Sequence, residues 1–342
     1  MHLKINLIKN NMLKGYNFDL AARFVSDYKL PVSIISDANV FEYELNLYEK
    51  EYQSLTKWNS LVENIEKYYG GDSDKWLKRY YDIRENIIQY IIASDEYKKF
   101  NTSSDYTTWN TLKIPKCVNS KTMYNHENCK EGCNEFISID MKKANFQAFR
   151  YANVIKEKTY EDFIARFCEN DFEKKYVSES KYTRVVWAGQ TNPSRQITLE
   201  KYLMAKLYWE VIKPVYDTEV ICFNSDEVII RVDSNDVVNQ RFDALVNAVS
   251  SNGLIDVRIE KFTLSGYEFF VNKTDGTVHK LNEFYKRSCD PEGVYKSIPL
   301  PFHKILHRLL RGEVPTEQDR IMTYEKKCNV LLMEDITIEK IK

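Results

Sequence analysis

Three carboxylates, Asp140, Asp226 and Glu227, each lie at the edge of an apolar run with β-strand character. Asp140 closes Phe136-Ile-Ser-Ile-Asp140. Asp226 and Glu227 sit in a tight turn between Glu219-Val-Ile-Cys-Phe223 and Val228-Ile-Ile-Arg231. Carboxylates on adjacent strand ends can hold a pair of divalent ions, Mg²⁺ or Mn²⁺, and in-line transfer of a nucleotidyl group needs two such ions. An apolar strand ending in Asp is common, and so is a hairpin with Asp-Glu in its turn. The chemistry is read from both together, in this order. On that reading Asp140, Asp226 and Glu227 are metal ligands and catalytic groups.

Anionic substrate would need cations. Lys143 follows Asp140 closely, and Arg184, Arg195, Gln196 and Lys201 lie between the two acidic stretches. Asn192-Pro193-Ser194 is a helix start, with Ser194 a candidate cap and the helix dipole aimed at anions. Arg195 beside it can make a bidentate phosphate contact. The competing reading is a solvated helix start with exposed Arg and Lys.

A second constellation is Cys117, His126, Cys129 and Cys133, spaced C-x8-H-x2-C-x3-C. Four such ligands can make a structural Zn²⁺ site and order a loop with little apolar content. The alternative is three free thiols and a surface histidine.

The elements that must position these groups follow from periodicity. Residues 17–100 read as mainly helical, with helices over Phe41–Tyr52, Trp58–Tyr69 and about Ser73–Phe100 and a short strand at Leu30–Ser36. Trp76, Tyr80, Ile83, Ile87, Tyr90 and Ile91 form a helical stripe of core type. Residues 101–135 are a polar connector. Beyond it come a strand at Phe136–Asp140, helices at Thr159–Cys168 and Ile197–Tyr216, and strands at Glu219–Phe223 and Val228–Val232. A helix then runs from an Asp236 cap to Ser251, followed by a strand at Leu254–Leu264. That order is the split βαββαβ unit of a ferredoxin-like sheet, in which the first strand end and the central hairpin turn are neighbours. A hairpin, Glu268–Asn272 with Thr277–Leu281, turns on Asp275-Gly276. A basic helix at His303–Arg311 and a strand at Asn329–Met333 end the chain.

The expected class is α+β: a mainly helical segment at 1–105, a connector with the zinc-type loop at 106–135, a palm-like catalytic segment at 136–285 and a C-terminal extension at 286–342. The 342 residues allow two or three domains. Net charge is −1, so a nucleic-acid partner would have to meet a local basic surface. No apolar run approaches the roughly 20 residues of a membrane span, and the N-terminus is too polar for a secretory signal. Seven cysteines in a chain of this size favour a reducing, cytoplasmic setting. Abundant Lys, Asn, Ile and Tyr with few Gly and Pro hint at an AT-rich genome, such as that of a virus or phage.

The acidic stretches carry a resemblance. Asp140-Met-Lys-Lys-Ala-Asn145-Phe-Gln-Ala-Phe-Arg150 resembles polymerase motif A. Ser225-Asp226-Glu227-Val-Ile-Ile is similar to motif C of the family A DNA polymerases, and the helix that follows also resembles that family. Asp-Glu in a hairpin turn also resembles tRNA-His guanylyltransferases and diguanylate cyclases. The resemblance covers residues 136–262 and is confined to short motifs. Family A enzymes have Glu where this chain has Asn145 and His where it has Ser225. The resemblance implies a palm domain, nucleoside triphosphate substrates and a nucleic-acid primer or template. It implies a sugar-sensing role for Asn145, where a short polar residue admits a 2′-OH, against a plain capping Asn at a turn. It also implies a general-acid role for Lys261, against a solvent-facing strand lysine. The expected activity is that of a palm-type nucleotidyltransferase, in first place a polymerase. A template-independent nucleotide-adding enzyme or cyclase on the same palm, and a non-catalytic nucleic-acid-binding or scaffold protein, are the alternatives.

Overall fold

The structure is a computed structural model and describes residues 13–118, 122–130, 132–232, 238–273, 275–289, 293–324 and 328–341. It is α+β. In chain order the described strands are β1 (Glu135–Met141), β2 (Val220–Phe223), β3 (Glu227–Arg231), β4 (Val257–Asn272), β5 (Val278–Ser288), β6 (Val294–Lys296), β7 (Ile321–Tyr324), β8 (Cys328–Leu331) and β9 (Asp335–Lys340). Seven of them form one sheet in the order β2-β3-β1-β4-β5-β6, with β9 also on β4, and β7-β8 is a separate hairpin. All these pairings are antiparallel.

The chain divides into two compact units. One comprises residues 1–82, 179–182 and 300–333, and the other 83–178, 183–299 and 334–342. Both are discontinuous, whereas the segments expected from sequence are consecutive. Local periodicity carries no information on which distant segments pack together.

In the second unit β1 lies between β3 and β4. Its register pairs Asp140 with Glu227 on one side and with Arg258 on the other. Directly opposed residues share a face, and successive residues alternate. One face therefore carries Phe136, Ser138 and Asp140, the other Ile137, Ile139 and Met141. The first face is apolar at the Phe136 end, where Phe136, Ile229, Phe262, Leu264 and Tyr285 cluster with Met123 and Cys129 from the segment before β1. The same face becomes ionic toward Asp140. Burial at one end and charge at the other leave that strand end outside the apolar core.

The expected strand Leu254–Leu264 and the first arm of the expected hairpin are one 16-residue strand, since nothing between them breaks the extended backbone. Its partner β5 runs on to Ser288. The connector contains the helix Asp105–Thr111 and a single turn at His126–Cys129. The helices Asp171–Glu179 and Lys181–Gly189 fall in a stretch to which the sequence reading assigns none. The expected helix Ile197–Tyr216 starts earlier, at Pro193, widens to π-helical bonding over Tyr208–Ile212 and returns to α over Lys213–Val215. Its cap is Asn192, not Ser194: the Asn192 side chain accepts the Arg195 N–H at 3.3 Å. The Asp236 cap lies outside the described residues. Leu30–Ser36 is not a strand. Its Ser33 N–H and hydroxyl donate to the Glu44 carboxylate at 2.7 and 3.0 Å, which takes them from any sheet partner. Among the described residues no helix is long and apolar enough to cross a membrane.

The first unit is built on aromatic packing around Trp58. The rings of Phe24 and Phe41 meet it edge-on at 5.3 and 5.1 Å. In the same unit the Tyr48 hydroxyl lies 2.9 Å from His303 Nδ1. Burial, reinforced by neighbouring His307, pushes the His303 imidazole down to about 3. Folded His303 is therefore neutral, while the unfolded chain takes up a proton below about pH 6.5. The unfolded state binds more protons in that window, so stability is lost as pH falls from 6.5 toward 3. Between pH 7 and 4.5 this group alone should cost about 2 kcal/mol. The stability difference between His303→Phe and the parent protein should therefore change across this interval. Melting curves that stay parallel for the two proteins would contradict the assignment.

Candidate active site

The carboxylates reach their places through backbone geometry. The Asn224 N–H donates to the Glu227 carbonyl at 2.8 Å, which closes the β2–β3 connection into a hairpin with Ser225 and Asp226 at its tip. The Met141 N–H then donates to the Asp226 carbonyl at 2.7 Å. That bond ties the tip to the end of β1, so Asp140, Asp226 and Glu227 meet at one strand end.

The side chains divide into two groups. Glu227 is engaged. Its Oε1 accepts from the Ser138 hydroxyl at 2.6 Å and from Arg287 Nη1 at 3.0 Å. Arg287 is buried, lies 4.1 Å from the centre of the Phe262 ring and also reaches Glu260 at 3.3 Å. Asp140 is less well compensated. Its nearest cation, Arg258, lies at 3.4 Å and is shared with Glu260 at 3.2 Å. Burial pushes the Asp140 carboxyl up to about 6. The Glu227 and Asp226 charges add to the rise, and Arg258 opposes it.

A fourth acid joins them. Glu200, on the helix Pro193–Leu207, is buried, and burial plus the charge of Asp226 pushes it up to about 7. It accepts a hydrogen bond from the Asn145 amide at 3.2 Å. Asp140, Asp226, Glu227, Glu200 and Glu260 thus confront two guanidiniums, Arg258 and Arg287. Such an excess of hard oxygen could hold a divalent cation. The oxygens of Asp140, Asp226 and Glu227 do not all lie within 4.8 Å of one another. Among the described residues the only acid, His or Cys group that compact is His126, Glu268 and Glu283. With Glu227 engaged by Ser138 and Arg287, Asp140 and Asp226 are the carboxylates of the three that could hold a metal.

Several expected site residues are placed elsewhere. Lys261 is opposite Ile137, on the face away from Asp140, and pairs with Glu135 at 3.5 Å. Strand alternation excludes it as a proton donor at the carboxylates and puts Arg258 and Glu260 on their face instead. Arg195 donates to the Ser103 carbonyl and lies 4.7 Å from the Tyr106 ring and 5.5 Å from those of Phe100 and Trp109. Its guanidinium holds neighbouring helices and is not presented to phosphate. Gln196 is buried and donates to the Ala188 carbonyl at 2.9 Å. Arg184 lies near the buried Tyr160 phenol, whose rise to about 12 its charge opposes. Lys201 is exposed. Lys143, in the left-handed region at φ 53°, pairs with Glu161 over the Tyr160 ring.

The Cys/His set does not converge. Cys129 is buried in the apolar cluster, its thiol pushed up to about 11 by burial, which disfavours the thiolate a metal would need. Cys133 is exposed. Cys117 bridges Val220, and His126 lies 3.3 Å from Glu283.

Glu200, Arg258, Glu260 and Arg287 were missed from sequence. Arg258 and Glu260 alternate like Ser138 and Asp140, a usable signal once the β1–β4 register is known. Glu200 and Arg287 carry no local signal. No protein-family model, curated protein or solved structure matches the chain.

Proposed function

We propose that this chain is a palm-type nucleotidyltransferase, with nucleoside triphosphates as substrates and a nucleic-acid end as the first-choice acceptor. The observation that carries the reading is the meeting of Asp140 with Asp226 and Glu227 at one strand end. The sheet order β2-β3-β1-β4, antiparallel throughout, supports it, since a βαββαβ palm has this order. Bound divalent ions would supply charge neutralisation of the triphosphate and a lowered pKa for the attacking hydroxyl.

The chain's own residues have separable tasks. Asp140 and Asp226 would hold the ions. Arg287 and Ser138 fix Glu227 so that it shapes the field without being free to move. The Asn145 amide N–H is used by Glu200 at 3.2 Å, which leaves the Asn145 carbonyl oxygen to accept from a sugar hydroxyl. Arg258 lies beside Asp140 on the exposed side and can meet phosphate oxygens.

The test is incubation with each labelled NTP and dNTP, Mg²⁺ or Mn²⁺, with and without primer-template, read on gels and by thin-layer chromatography. Extension of a primer supports the polymerase. A product without template points to a nucleotide-adding enzyme or cyclase. A second reading, a non-catalytic nucleic-acid-binding or scaffold protein, draws on the ion pairs of Arg258 with Asp140 and Arg287 with Glu227. It expects no product and no divalent-ion binding at Asp140.

A further inference from the structure

The sheet face that carries Asp140 has a second ionic group farther along β4. Register sets Glu268 of β4 directly opposite Glu283 of β5 on one side and Glu339 of β9 on the other. Like charges directly opposed on antiparallel strands repel, so this row needs a cation. One is in place: Lys280 Nζ donates to Glu268 Oε1 at 2.6 Å and to Glu283 Oε1 at 2.8 Å. A neutral-capable ligand arrives from a separate element. His126, in the turn His126–Cys129, has Nε2 3.3 Å from Glu283 Oε1 and 3.9 Å from Glu268 Oε1. The three ligand atoms lie within 4.8 Å of one another.

We propose that His126, Glu268 and Glu283 form a binding site for a borderline divalent metal ion, Zn²⁺ foremost, for which the Lys280 ammonium competes. One imidazole nitrogen and two carboxylate oxygens suit Zn²⁺ and leave a fourth position for water. The imidazole disfavours Mg²⁺, which prefers an all-oxygen shell. Glu283 has an outer partner of the kind that orients a ligating carboxylate: its Oε2 accepts the Tyr285 hydroxyl at 3.0 Å. The site joins a covering segment to the sheet. Cys129 ends the same turn as His126, and with Met123 it packs against Phe262, Leu264 and Tyr285. A metal at His126 would therefore fasten this cover to the β4–β5 hairpin through a ligand set without sulfur. The site is built independently of the nucleotidyltransferase reading, and its failure would leave that reading untouched.

The test is titration of the full chain with Co²⁺, and then Zn²⁺, in excess Mg²⁺ to saturate the all-oxygen carboxylates. One equivalent of Co²⁺ should give visible d–d absorption without intense near-ultraviolet thiolate bands. His126→Ala, a change at a half-exposed side chain, should weaken binding by at least about tenfold, and Glu283→Gln likewise. Lys280→Met should bind several-fold tighter, because the competing ammonium is gone. Absence of binding would overturn the proposal. So would binding that survives His126→Ala, or thiolate bands that vanish in Cys129→Ser or Cys133→Ser. Unchanged or weaker affinity in Lys280→Met would overturn the competition.

Discussion

Asp226→Asn should lower nucleotidyl transfer by about three orders of magnitude or more while the protein stays folded. On the proposed two-metal reading, loss of this ligand removes several kcal/mol of transition-state charge stabilisation, and each 1.36 kcal/mol is about tenfold in rate. Little in the fold depends on the charge. The tip of the β2–β3 hairpin is held by the Asp226 carbonyl, which accepts the Met141 N–H at 2.7 Å whatever the side chain is. The Asp226 charge also raises the Asp140 and Glu200 carboxyls. Removing it relieves repulsion with half-buried Asp140 and buried Glu200, so the melting temperature in chelator should hold or rise. Asp140→Asn should behave alike in both measurements. Parent-level turnover in either variant would retire the two-metal reading. A collapse of melting temperature would mean that the carboxylate is structural.

Lys304→Met should destabilise the first unit by about 3–5 kcal/mol, the usual result of leaving one member of a buried ion pair without its partner. Both side chains are almost wholly inaccessible, at 1% for Lys304 and 0% for Glu44. The ammonium donates to Glu44 Oε1 at 2.9 Å, to the Ile321 carbonyl at 2.9 Å and to the Gln318 carbonyl at 3.3 Å. The Glu44 carboxylate takes its other bonds from Ser33. With Lys304 gone, the buried Glu44 carboxylate would keep the Ser33 hydrogen bonds but lose its ion-pair partner. The double variant Glu44→Leu/Lys304→Met removes the stranded charge and should recover a large part of the loss. A double-mutant cycle by thermal or urea unfolding reads the coupling. Losses that simply add would show that the two groups act separately.

This ion pair and the carboxylate site mark how much was legible in the sequence. Strand ends at Asp140 and at the Asp226-Glu227 turn could be placed because an apolar run broken by acid is a local pattern. So could the helices at Trp58–Tyr69 and His303–Arg311, the strands flanking the turn and the α+β class, which rest on periods of two or 3.6 residues over short windows. Their order along the chain put the first strand end next to the central hairpin.

What only the tertiary structure decided concerns pairing across distance. Lys261 looked available to the acids, whereas Arg258, three residues before it, did not stand out. The register of β4 on β1 puts them on opposite faces. Arg195 looked exposed at a helix start, yet an aromatic cluster from Phe100, Tyr106 and Trp109 claims it. Four close-spaced Cys and His suggested one site, but Cys129 is drawn into the core and His126 toward Glu268 and Glu283. Glu44 gave no sign of meeting Lys304, nor Glu227 of meeting Arg287. Side-chain type and spacing set what a residue can do, through local sterics and hydrophobic period. Which partner it meets is set by register and long-range packing, where a shift of one residue on a strand turns a side chain from the site to the opposite face.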